Sequence, residues 1–481
     1  MSIVTFVRII CIILSIIGIS FVFPITTALV CGEYQVLFAF VLPLVVSIAL
    51  GIFGFFFGRK KQIQISTRSV FLLVSLVWIM ISLYGAIPLV LSGYIPSVTN
   101  AVFESVSGFS TTGATILNSV EHLPRSINLW RCEMHWLGGM GIIALTVALL
   151  PLLCVGGFQL IKAESTGVEK GKITPKMANT AKTLWGLYIG FTVVMGILLR
   201  IFGMDTIDSI TYAFSTLGTG GFASRNNSIA SYNSASIEII CTIFMFLAGI
   251  NFSLYFYVLT RKTSEVKKNT EFKAYLIIFG LAVVCITLAL IPYYGTITKS
   301  LRYAAFQVGA IMTTSGYSTA DYTLWPSSAQ FFIFLLFFMG GCAGSTSGGF
   351  KVVRWVVLAK QAHNEMLRML HPHGVFTVRL NDKPGRKDLV FNVAAFTFVY
   401  FALTFVTTLI GSLHGLDILT AFTASLSMVG NVGPAFGALG PSANCGWLAP
   451  SLKWWYCFAM IAGRLELYNL IIFFLPDYWK K

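Results

Sequence analysis

Apolar runs alternate along the chain with short basic stretches and with glycine-bearing segments. Residues 9–23, 37–57, 70–91 and 136–153 are the first four such runs. They approach or reach the roughly 20 residues that cross about 30 Å of hydrocarbon as a helix. Continued to the C-terminus, the pattern predicts ten spans, near 3–24, 35–58, 69–93, 130–153, 183–203, 236–260, 274–294, 328–359, 389–412 and 453–476. A second kind of segment is interleaved with them. Residues 97–117, between the third and fourth spans, are apolar but too short and too glycine-broken to cross. Similar segments lie between spans five and six, seven and eight, and nine and ten.

These four segments align with one another. They contain Ser110-Thr111-Thr112-Gly113, Gly218-Thr219-Gly220-Gly221, Thr313-Thr314-Ser315-Gly316 and Gly430-Asn431-Val432-Gly433. Each follows a helix-capable stretch of about four turns. The unit is therefore span, half-helix, extended glycine loop and span, repeated four times. Repeats are expected over 68–162, 163–268, 269–387 and 388–481, with 1–67 an extra pair of spans. The expected fold class is an all-α membrane protein with fourfold pseudo-symmetry.

A loop at membrane depth must satisfy its carbonyls, because hydrocarbon offers them no partner. In a water-filled pore they coordinate a cation instead. Glycine accepts the backbone angles such a loop needs and leaves the lumen open. The half-helix before it aims its partly negative C-terminal end at the centre, which favours a cation. Four copies about one axis would stack rings of carbonyl oxygens, the geometry that replaces potassium's hydration shell. Close helix packing is the competing account of these glycines. It explains any single one more readily than four in matching context.

Charge fixes the topology. Twenty-five of the 33 Lys and Arg residues fall on one side of the ten spans, together with both termini, and seven on the other. That asymmetry marks the basic side as cytoplasmic. Every unit starts on that side, so the repeats run parallel about the membrane normal, unlike the inverted repeats of many alternating-access carriers. A scaffold protein would explain the spans but not the four matched loops.

Composition narrows the classes further. Of 481 residues, 56% are hydrophobic and 11% charged, too apolar for a water-soluble surface. The net charge of +15 follows from the loop bias, and no nucleic-acid motif accompanies it. Nine scattered cysteines form no CxxC pair and are expected to pack as small apolar residues. Val30 stands before Cys31 where a lipoprotein cleavage box needs a small residue, so the first span is expected to stay uncleaved. His363, His371 and His373 lack cysteine or carboxylate partners at metal-site spacing. No catalytic triad, carboxylate pair or dinucleotide fingerprint is present in a plausible context, so an enzyme is not expected.

Two further features bear on transport. Residues 340–349 interrupt the eighth span with Gly340, Gly341, Gly344, Gly348 and Gly349 around Ser345, Thr346 and Ser347. So many glycines do not sustain a helix. Irregular backbone at depth normally lines a cavity, and a flexible gate beneath the glycine loops is expected there, with a static kink as the alternative. No Gly-Lys-Ser/Thr follows, so the run is no phosphate loop. Arg464 lies mid-span in the last helix. A charge there costs at least ~2.5 kcal/mol and must face protein or water. Glu466, the nearest candidate for an ion pair, is two residues away and faces differently on a helix. Glu104 lies in the first half-helix, where it either sets the local potential or caps hydrogen bonds. Arg131 and Glu133 open the fourth span and are read as interfacial charges.

Taken together, Gly108-Phe109-Ser110-Thr111-Thr112-Gly113-Ala114-Thr115, His135-Trp136-Leu137-Gly138-Gly139-Met140-Gly141, the 340–349 run and Gly430-Asn431-Val432-Gly433-Pro434 carry a family likeness. The chain resembles the Trk/Ktr/HKT superfamily of potassium transporters over essentially its whole length, and most of all its TrkH-type pore subunits. The extra N-terminal spans are a Trk trait. The resemblance implies a potassium filter at Thr111, Thr112 and Gly113; Thr219, Gly220 and Gly221; Thr314, Ser315 and Gly316; and Asn431, Val432 and Gly433. Potassium is then the substrate ion, held by backbone carbonyls, with no covalently bound cofactor. Sodium-favouring plant relatives carry serine where this chain has Gly113, so the likeness implies potassium preference with rubidium tolerated. It further implies a gate at 340–349 and a charge barrier at Arg464 just below the filter. A homodimer in the bacterial inner membrane and a cytosolic ring of nucleotide-binding regulatory subunits complete what it implies. Few acidic or histidine residues lie within the spans, which favours a gated channel over symport coupled to Na+ or H+.

Overall fold

The computed structural model describes residues 3–56, 67–149, 173–385 and 388–480, and these are almost wholly helical. Six helices are long and apolar enough to cross a membrane: Phe6–Cys31, Tyr34–Phe56, Arg68–Leu91, Ala181–Ile201, Thr270–Tyr294 and Asp388–Leu413. Phe38, Ile277, Leu288, Phe391 and Phe398 on these helices point outward. Such large apolar side chains on the outside suit hydrocarbon rather than water. The first span is longer than its pattern suggests, running past a turn at Phe21 to Cys31.

Two expected spans are not continuous. The sixth consists of Ala235–Ala248 and Phe252–Leu259, bent by 91°, and the last of Pro450–Arg464 and Tyr468–Phe474, bent by 118°. The bends fall at Gly249-Ile250-Asn251 and at Leu465-Glu466-Leu467, where Glu466 and Leu467 take positive φ. The eighth span is interrupted as its glycines foretell, with Ser327–Leu336 and Val352–Leu370 flanking the run. A helix, Arg125–Leu149, occupies the place of the expected fourth span, but among the described residues it is not one of the six helices long and apolar enough to cross.

The first two spans pack through small residues. A Cβ on Gly18 would lie 1.8 Å from Ser47 Oγ, and one on Gly51 would lie 2.3 Å from Ser15 Oγ. Such contacts let helix backbones approach where no hydrophobic force drives them together. Phe21 joins this pair to the remaining helices, its ring 4.6 Å from that of Trp130.

Four short helices fill the interleaved segments: Val98–Phe109, Thr206–Leu217, Ile297–Met312 and Ile418–Gly430. Side chains of Ser97, Asp205 and Asp417 cap three of their N-termini. Their C-terminal halves are buried at the centre of the molecule. The expected repeat boundaries near 67, 162 and 387 adjoin or lie outside the described residues, as do Arg59, Lys60, Lys61, Lys162, Lys170, Lys172, Arg386, Lys387 and Lys481.

Candidate functional site

Each short helix ends in the same way. Thr111, Thr219, Thr314 and Asn431 adopt φ of 55°, 55°, 56° and 55°. The next N–H in each case turns back onto the helix. Thr112 N donates to Ser107 O at 2.9 Å, Gly220 N to Ser215 O at 3.0 Å, Ser315 N to Ala310 O at 2.8 Å and Val432 N to Ser427 O at 2.9 Å. This is a Schellman closure with a left-handed residue. Glycine follows at Gly113, Gly221, Gly316 and Gly433, with φ of 81°, 84°, 69° and 104°.

The four glycines form a closed ring. A Cβ on Gly113 would fall 1.9 Å from Gly220 O, one on Gly221 2.1 Å from Ser315 O, one on Gly316 2.2 Å from Val432 O, and one on Gly433 2.5 Å from Thr112 O. Each glycine therefore abuts the carbonyl just before the next glycine, and the fourth returns to the first. Any side chain would break the ring sterically as well as conformationally. Among the described residues no donor binds the carbonyl of Thr112, Gly220, Ser315 or Val432, while the N–H groups of these four residues turn back to the helices. A cavity of about 360 Å³ adjoins the ring and is lined by all four glycines, with Asn118, Asn226 and Asn444.

The 340–349 loop packs against residues that precede the ring glycines in the third and fourth segments. Gly348 N donates to Thr314 Oγ1 at 2.7 Å. A Cβ on Gly348 would meet Gly430 O at 2.6 Å. Cys342 N donates to Gly249 O at 2.9 Å and Phe252 N to Gly344 O at 3.1 Å, so the loop inserts into the bend of the sixth span. Lys351 Nζ donates to the carbonyls of Ser347 and Gly348. Glu271 accepts from Ala343 N at 2.8 Å and Val353 N at 3.1 Å.

Arg464 is buried and ends its helix beside this loop. Its guanidinium donates to Thr346 O at 2.8 Å and to Gly138 O at 3.1 Å. Gly138 in turn sits against Phe109 O, at the end of the first short helix. Glu466 pairs with Arg354 instead, and the Arg354 guanidinium covers the Phe396 ring at 3.6 Å. Arg464 thus links loop, ring surround and last span.

Arg131 and Glu133 are not interfacial, contrary to their reading from sequence. Arg131 is 1% exposed and pairs with fully buried Glu104 at 2.7 Å. Glu104 also accepts from Thr115 Oγ1 at 2.9 Å and Ile116 N at 3.0 Å, just beyond Gly113. It braces the strand that leaves the ring. Glu133 is fully buried about two turns inside the helix. The hydropathy pattern hides both, because neighbouring charges at a span's start look interfacial whichever way they face. His135 is a second omission: its ring stacks on Phe222, immediately after Gly221, at 4.3 Å.

The sequence profile of the TrkH family, described as cation transport protein, matches residues 36–481. The chain is 36% identical, over 100% of both sequences, to the Trk system potassium uptake protein TrkH of Halomonas elongata. It is 35% identical, over 92% of each, to the protein of the same name from Escherichia coli strain K12. Its fold superposes on the crystal structure of the potassium transporter TrkH from Vibrio parahaemolyticus with a TM-score of 0.88, at 30% identity and 100% coverage of each chain.

Proposed function

Because the chain belongs to the TrkH family of cation transport proteins, we propose that it is the potassium-conducting subunit of a Trk-type uptake system, with its filter at the four-glycine ring. It is a multi-pass membrane transport protein and not an enzyme. The closed ring of glycine-to-carbonyl contacts is the observation that carries the filter reading. An ion entering from the polar cavity exchanges water for the carbonyls of Thr112, Gly220, Ser315 and Val432, with those of Thr111, Thr219, Thr314 and Asn431 following. The negative ends of four helices favour the cation at that point. Rubidium, close to potassium in size, passes as well.

The loop with Gly340, Gly341, Gly344, Ser345, Thr346, Ser347, Gly348 and Gly349 closes the path below the filter. Opening breaks the Gly348–Thr314 bond and frees Thr346 from Arg464. Arg464 adds an electrostatic barrier while the loop is shut. The helix Val352–Leu370 leads out of the loop, and its far end carries exposed Met366, Met369 and Leu370. Met369 is 84% exposed and Val375, just beyond, 92%. Such an apolar lever beyond the membrane suits a cytosolic nucleotide-binding ring that pulls the loop open. The protein sits in the bacterial inner membrane as a homodimer, with both termini cytoplasmic, as the basic loops favour. Conduction is down the gradient; coupling to Na+ or H+ remains the rival, and an uptake rate that follows either ion at fixed potential would favour it.

The test is cation flux through purified protein in liposomes, with the regulatory ring present, for the parent and Gly113→Ser. The parent is expected to pass K+ and Rb+ well over Na+. Gly113→Ser places a side chain against Gly220 O at φ 81° and should lose that preference. A silent parent, or selectivity indifferent to residue 113, would sink the reading.

A further inference from the structure

The residues just before the ring glycines are Thr112, Gly220, Ser315 and Val432, and those two positions earlier are Ser110, Gly218, Thr313 and Gly430. In the first and third strands the two side chains bridge behind the left-handed residue. Ser110 Oγ lies 2.7 Å from Thr112 Oγ1, and Thr313 Oγ1 lies 2.8 Å from Ser315 Oγ. In the fourth, Val432 Cγ2 lies 3.5 Å from the Cβ site of Gly430. The second strand has glycine at both positions and no side chain of its own to fill that space.

Another element fills it. A Cβ on Gly218 would lie 2.4 Å from His135 O, and one on Gly220 would lie 2.0 Å from His135 Nδ1. The imidazole is fully buried, and Nδ1 is 3.0 Å from Ser215 Oγ on the preceding short helix. Its ring stacks on Phe222 at 4.3 Å, the Arg131 guanidinium covers Phe222 at 4.3 Å, and Cys132 Sγ donates to Phe222 O at 3.3 Å. One turn of the helix Arg125–Leu149 thus holds the second strand from behind. Gly220, unlike Gly221, is not at positive φ. The imidazole, not the backbone, is what forbids a side chain there.

On the reading that the ring is the potassium filter, we infer that His135 is the surrogate side chain of the second strand, a positioning residue that sets where the Gly220 carbonyl stands and so tunes cation preference. Gly113 packs against that same carbonyl, so a shift there moves the ring's neighbour too.

Rb+ and Na+ flux in liposomes tests this with four variants beside the parent. His135→Ala is expected to retain Rb+ flux while its Rb+ to Na+ ratio falls by about tenfold, as befits a site loosened behind its ligands. Ser215→Ala, which removes only the hydrogen bond, should fall between the two. Gly220→Ala alone forces a methyl into the ring and should lose flux or folded yield. The double variant His135→Ala/Gly220→Ala puts the methyl into vacated space and should recover flux and part of the ratio. If His135→Ala lowers thermal stability while the ratio of the surviving protein stays at the parent's value, the residue is merely structural and the inference fails. It fails equally if Gly220→Ala is as damaging without the imidazole as with it, a comparison that holds even should His135→Ala alone fold poorly. A parent that conducts neither ion overturns the filter reading itself, and this inference with it.

Discussion

At the scale of single residues, the ring stands on positions that most side chains avoid. Thr111, Thr219 and Thr314 are β-branched and left-handed, a conformation that costs about 1–3 kcal/mol each and persists only where neighbours enforce it. Thr314 also serves a second purpose, since its hydroxyl accepts the Gly348 N–H. Thr314→Val keeps the shape and removes the acceptor. An orphaned buried N–H costs about 1–3 kcal/mol, so on the proposed gating role of the loop the variant should raise Rb+ leak through the protein alone, measured against the parent in the same vesicles. The ring glycines are legible from sequence because four copies can be laid over each other. The two charges Arg131 and Glu133 are not, because burial of a polar residue near a span's end depends on partners far along the chain. The role of His135 has a faint trace in the sequence. Glycine at both 218 and 220, where each other repeat carries at least one side chain, leaves a gap that something must occupy, but nothing local says what.

At the scale of elements, the breaks in the spans matter more than the spans. The 340–349 interruption is plain from its glycines. The bend after Arg464 is not, since Leu465-Glu466-Leu467 carries neither glycine nor proline. That bend is held from outside, by the pairing of Glu466 with Arg354 and by the Arg464 bonds to Thr346 and Gly138. Hydrogen bonds from a charged donor contribute about 1.5 kcal/mol or more apiece. On the proposal that the 340–349 loop is the gate, Arg464→Met should therefore raise its open fraction about tenfold, seen as faster K+ flux at unchanged protein density. The first short helix depends on its own anchor. Glu104→Gln leaves Arg131 buried without its counter-ion and is expected to cost about 3 kcal/mol or more in unfolding free energy. Glu104→Gln combined with Arg131→Met should lose less than the sum of the two single changes, which chemical denaturation in detergent would measure.

At the scale of the molecule, the N-terminal pair of spans is held to the remaining helices by contacts such as that of Phe21 with Trp130. The N-terminal pair of spans packs through Gly18, Ser47 and Gly51, and the atoms nearest the Cβ sites of the ring glycines all belong to the ring segments themselves. Gly18→Leu should pry that pair apart and lower the melting temperature, yet leave the K+ to Na+ ratio at the parent's value. A changed ratio would show that the pair supports the ring. The hydropathy pattern sets the first two spans apart because they carry no glycine loop. It says nothing of how those spans meet the rest of the chain, since the Phe21–Trp130 contact joins residues far apart in sequence.

The ring closes within a single polypeptide, and this has a consequence for heredity. In an assembly of four identical chains, one altered codon strikes every side of the opening at once. Here one codon alters one quarter, so Gly113, Gly221, Gly316 and Gly433 can drift separately, and a lineage can test partial losses of symmetry that an identical tetramer never samples. The second quarter, with glycine at both 218 and 220 and His135 packed against them, already differs from the other three.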